Sequence, residues 1–167
     1  VYTLPSVMDD LTLKASYAAS GAGKGSHMAY SLSYAGVEGL TLDYGTGADE
    51  TVAATSDTNT IRASYAYGSF TGTYVQTDHD DSVANSDEEV TSWKLSYTVN
   101  DDLSVSYNVS EIDYESSSKE NQEATGISFS YTSGSLTFSG AYSEIDNVTG
   151  TSTSDNSGYE LNVTFAF

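Results

Sequence analysis

Cysteine is absent from the 167 residues. Disulfides, thiolate nucleophiles and cysteine-ligated metal sites are therefore excluded, while an oxidising compartment stays compatible. Basic residues are scarce, 5 against 24 acidic ones for a formal charge of -19. Phosphate contacts need lysine and arginine, so nucleic acid is ruled out as a partner. No stretch approaches the roughly 20 consecutive apolar residues of a membrane-spanning helix. The opening VYTLPSVMDD has neither the basic nor the apolar region of a secretion signal, which reads as a mature, trimmed or partial chain. The apolar share, 38%, is below the ~45–50% of ordinary globular domains. Low hydrophobicity with high charge can signal disorder, but 14 tyrosines and a regular alternation point to ordered β-structure.

That alternation runs the length of the chain. Period-two segments occur at 11–18, 28–35, 39–45, 60–68, 69–76, 91–99, 103–110, 125–132, 135–143 and 159–167, with a shorter one, VYTL, before Pro5. In each, one face is large and apolar, as in Trp93/Leu95/Tyr97/Val99, and the other small and polar, as in Lys94/Ser96/Thr98. No segment has helical periodicity, so the chain is all-β. Its connections alternate as well. Short turns rich in Gly, Asp, Asn and Ser take turns with polar loops expected at 19–27, 45–59, 77–90, 115–124 and 144–158. An antiparallel up-and-down meander with one plain and one elaborate rim gives this pattern.

Period two fits a water-soluble sheet with its apolar face inward, or an outer-membrane barrel with that face against lipid. Three features favour the membrane barrel. The strands are about nine to eleven residues long with unequal connections on the two sides, which suits a tilted bilayer crossing. Tyrosines stand near both strand ends on the apolar face, as interfacial girdles would. Charge is concentrated in the connections: 14 of the 24 acidic residues lie within 45–59, 77–90, 115–124 and 146–157.

The opening VYTLPSVMDDLTLKASYA resembles the strand–turn–strand of alphaproteobacterial outer-membrane porins, and the ending GYELNVTFAF resembles their terminal strand, which finishes on phenylalanine. The resemblance implies a 16-stranded barrel, a homotrimer in the outer membrane of a Gram-negative bacterium, and passive diffusion of small hydrophilic solutes through a pore narrowed by an inward-folded loop. It also implies contact with lipid and lipopolysaccharide, and recognition by the barrel-assembly machinery through the terminal strand, with Phe167 as the signal. This chain is much shorter than such porins. It reads as one transmembrane domain over 1–167 with ten to eleven strands, a C-terminal portion lacking the constricting loop.

Lys14, Arg62 and Lys94 fall mid-strand on the polar face. The resemblance makes them pore-lining charges that set up a transverse field, with Asp43 and Glu160 as wall carboxylates; the plainer reading is local ion pairs on a wet wall. The acidic run TDHDDSVANSDEEV is either solvated surface or, at Asp78, Asp80 and Asp81, a Ca²⁺ site of hard oxygen ligands, although the full EF-hand spacing is missing. Otherwise no cofactor is expected. An acidic mouth concentrates cations, so a cation-favouring channel is expected. The competing function is a complete ten-stranded barrel acting as an enzyme, adhesin or structural protein. His27 and His79 are its only candidate bases, and chance proximity to abundant serines says little. The sequons at Asn108 and Asn147 carry little weight. Gly21-x-Gly23-x-Gly25 lacks the strand–helix setting of a nucleotide site and reads as loop.

Overall fold

The computed structural model describes residues 1–5, 8–19, 25–50 and 55–166. They form eleven strands: β1 (Tyr2–Thr3), β2 (Leu11–Ala18), β3 (His27–Val37), β4 (Leu40–Glu50), β5 (Thr55–Tyr67), β6 (Phe70–Asp81), β7 (Glu88–Thr98), β8 (Leu103–Tyr114), β9 (Gln122–Ser133), β10 (Leu136–Asp146) and β11 (Asn156–Phe165). Each strand pairs antiparallel with its sequence neighbours in one sheet, ordered β1 to β11, with β1 and β11 as its two edges. This is the up-and-down meander expected from alternating connections. The glycine-bearing motif at 21–25 lies largely outside the described residues, as does Phe167.

Turn chemistry explains the plain rim. Gly39, Gly68 and Gly134 take positive φ in the β3–β4, β5–β6 and β9–β10 turns, a region closed to most side chains. Between β7 and β8, the Asn100 side-chain carbonyl accepts from the Asp102 and Leu103 backbone N–H groups, each at 2.9 Å, an Asx-type closure.

The strands run farther toward the elaborate rim than the sequence pattern shows. The loop expected at 77–90 shrinks to 82–87, and that at 144–158 to 147–155, because β6 continues to Asp81 and β10 to Asp146. The cause is physical. Near this rim both faces are polar, so the two-residue contrast vanishes, while backbone ladder bonds continue regardless of side-chain polarity.

Neither face of the sheet is covered. Among the described residues there is no buried hydrophobic side chain, and the apolar stripe stands open, with Leu95 at 47%, Ile127 at 57% and Leu161 at 61% exposure. A water-soluble sheet must bury such a stripe against a second layer; here no second layer exists among the described residues. The environment of that face is therefore lipid, and the sheet is the wall of a transmembrane barrel.

Candidate functional site

The register separates the two faces strictly. One cross-strand row, Leu40–Tyr65–Gly72–Leu95–Tyr107–Ile127–Tyr142–Tyr159, runs along the apolar face. Tyrosines flank this face toward both rims, as expected from their positions in the strands. Aromatic pairs reinforce it: Phe70 stacks on Tyr97 with centroids 4.6 Å apart, and Trp93 meets Tyr107 edge-on at 5.5 Å. Gly140 lies on the same face in the middle of β10, where an added Cβ would stand 2.7 Å from both Phe129 Cε1 and Leu161 Cδ2. With hydrogen at that position the two neighbouring side chains close over the strand; a larger side chain would make them shift.

The opposite face is built from hydroxyls that meet in pairs across neighbouring strands. Thr60 and Thr77 are 2.9 Å apart, Ser64 and Thr73 3.1 Å, Ser92 and Ser110 2.6 Å, Ser106 and Ser128 2.7 Å, and Thr132 and Thr137 3.0 Å. Each pair occupies directly opposed positions. The alternating serines and threonines are visible in the sequence, but which hydroxyl meets which requires the register. A face of mutually bonded hydroxyls stays wettable while presenting few fixed charges.

Lys14, Asp43, Arg62, Lys94 and Glu160 all stand on this polar face. Arg62 opposes Asp43 directly, and its Nη1 donates to Asp43 Oδ2 at 2.8 Å. Ser33 Oγ donates to Asp43 Oδ1 at 2.6 Å. The carboxylate is thus held from two strands. Lys14 lies opposite Ser31, and Lys94 between Thr73 and Asn108; among the described residues neither has a carboxylate within 4.0 Å. Glu160 accepts from Asn162 Nδ2 at 2.8 Å and is not joined to the basic residues.

The acidic residues expected in loops at the mouth lie in part on the strands themselves. Above the apolar band, the lipid-side face turns acidic, carrying Asp57, Asp78, Asp80, Glu89, Glu111, Asp113, Glu123 and Asp146. Several oppose each other directly: Asp57 with Asp80, Asp78 with Glu89, Glu89 with Asp113, and Glu123 with both Glu111 and Asp146. Strand alternation puts Asp78 and Asp80 on this outward collar but Asp81 on the polar face. The three candidate calcium ligands therefore do not converge, and no group of three metal-ligating side chains occurs among the described residues.

At the rim, burial pushes the Tyr114 phenol above its ordinary pKa, and the nearby Glu88 carboxylate adds to the effect. His27 Nδ1 meets Asp49 Oδ1 at 2.6 Å and His79 Nδ1 meets Thr58 Oγ1 at 2.9 Å. The serine next to His27, Ser26, donates instead to Glu50 Oε2 at 3.2 Å.

A lipid-covered outer face, a hydroxyl-lined inner face and an up-and-down meander together define the wall of an outer-membrane β-barrel. The chain belongs to the Gram-negative porin family, whose model matches residues 1–167. Two solved structures share the fold. An anion-selective porin from Comamonas acidovorans superposes with a TM-score of 0.76 at 17% identity, covering 99% of this chain and 58% of that one. OccK10 (OpdN) from Pseudomonas aeruginosa superposes with a TM-score of 0.70 at 14% identity, covering 96% of this chain and 58% of that one. The chain thus spans a little under three fifths of the length of either. No curated protein matches it.

Proposed function

We propose that this chain forms part of the wall of a water-filled channel for passive diffusion of small hydrophilic solutes, and that it acts without catalysing a reaction. The observation that supports this most is the one-layer sheet itself: an apolar face without protein cover, backed by a face of paired hydroxyls. The expected narrower kinship with alphaproteobacterial porins, and assembly as a homotrimer, are proposed on the opening and closing motifs and on family membership. Lys14, Arg62 and Lys94, with Asp43 and Glu160, are proposed as the charges a solute meets along the wall.

The proposed cation preference arises at the mouth and not from the wall at membrane level. The excess of carboxylate sits on the collar around the mouth, whereas the wall at membrane level carries three basic residues against two acidic ones. Collar charges act on the mouth over a Debye length, about 10 Å at 0.1 M salt. Cation enrichment is therefore a mouth effect that fades as salt is raised, and the wall opposes it.

Solute efflux from vesicles tests the reading. Vesicles containing the full-length protein are expected to release small sugars and amino acids quickly and to retain large dextrans. Retention of all solutes, with the protein shown to be inserted, overturns it.

A further inference from the structure

Lys119 lies in the β8–β9 connection, and its side chain reaches across three other segments. Its methylenes cover Gly150 in the β10–β11 connection: a Cβ on Gly150 would stand 2.8 Å from Lys119 Cβ, 2.9 Å from Cγ and 3.0 Å from Cδ. Gly150 is buried, with φ at 75°. The ammonium sits 4.0 Å from the Tyr114 ring centroid at the end of β8 and 3.7 Å from Glu88 Oε1 at the start of β7.

Hydrogen bonds join the 147–155 connection to the 115–121 connection and to the start of β9 without using the lysine side chain. The Glu120 N–H donates to the Gly150 carbonyl at 3.0 Å. Asn147 Nδ2 donates to the Asn121 carbonyl at 3.0 Å, and the Thr149 N–H to Gln122 Oε1 at 2.8 Å. Meanwhile Asn147, Thr149 and Thr153 all hold positive φ, at 53°, 59° and 66°. Such a backbone is strained for a non-glycine residue, least so for asparagine, and persists only where its surroundings fix it. Bonds within the segment, such as the Val148 N–H to the Ser154 carbonyl at 2.7 Å, and the bonds from the neighbouring connection together fix this shape.

We infer that the 115–121 and 147–155 connections form a single clasp, pinned by Lys119 to the rim ends of β7 and β8, which moves as one body beside the channel mouth. Glu88 and Tyr114 lie on the polar face, so the pin is set at the inner edge of the rim. Two long loops that could each swing over the opening are instead held to each other and to the wall. The clasp is a property of the fold and does not depend on whether the channel conducts.

Amide hydrogen exchange on the full-length protein in lipid vesicles tests this. Gly150→Ala places a methyl under the Lys119 stem at a positive φ, and Lys119→Ala removes the pin without adding strain. In both variants exchange is expected to rise about tenfold in 115–121 and in 147–155 together, the response to a loss of about 1.4 kcal/mol. Ladder amides of β8 to β11 are expected to stay protected, which shows that the sheet is intact. A rise confined to the loop carrying the substitution, or no rise in either, overturns the inference.

Discussion

Arg62 and Asp43 face each other directly across β5 and β4, with the guanidinium 2.8 Å from a carboxylate that Ser33 also holds from β3. This is the one ion pair between strands at membrane level among the described residues. Its members are 45% and 31% exposed, so its value to stability is small, about 0–1 kcal/mol. Its larger effect is electrostatic, because Asp43 cancels one of three basic wall residues. Asp43→Asn is expected to change thermal stability little while shifting the reversal potential in a salt gradient toward anions. Equal reversal potentials for the two proteins would separate Arg62 from the permeation path.

The two faces differ in what the same charge costs them. Leu95 lies in the lipid-side row and its neighbour Ser96 on the hydroxyl face. Leu95→Lys is expected to cost about 2–4 kcal/mol of folding stability in vesicles, the penalty of a cation near the bilayer midplane, and Ser96→Lys less than about 1 kcal/mol. Equilibrium urea unfolding measures both. Equal costs would contradict a lipid-facing and a water-facing side, and a larger cost at Ser96 would mean that the faces are assigned the wrong way round.

Glu123 is opposed on one side by Glu111 and on the other by Asp146. Like charges directly opposite in a sheet repel, by up to about 1 kcal/mol per pair. Glu123→Gln is therefore expected to raise the melting temperature at low salt, with the gain shrinking as ionic strength rises. A lower melting temperature at low salt would show that Glu123 has a favourable partner.

Fold class was legible in the sequence because the apolar band imposes a two-residue contrast that survives in every strand from Leu11 to Phe165. Strand ends were not. Asp78 and Asp80 read as loop, since a carboxylate on each outward position looks like solvated coil, yet both are paired in the β5–β6 ladder. The polar-face positions of Lys14, Arg62 and Lys94 followed from alternation alone. The partnership of Arg62 with Asp43 needed the register, as did the hydroxyl pairs such as Ser92 with Ser110. The acidic collar escaped for the same reason: composition counts carboxylates, and only strand pairing shows which side of the wall they occupy. The clasp at Lys119 and Gly150 had no sequence signal beyond one lysine in an acidic loop.

Whether this wall encloses water, as proposed, is read out by single-channel recording of the full-length protein in planar lipid bilayers. Stepwise conductance is expected, scaling with the conductivity of the bathing salt and favouring cations in dilute salt more than in concentrated salt. Stable insertion with no conductance steps would contradict the proposal.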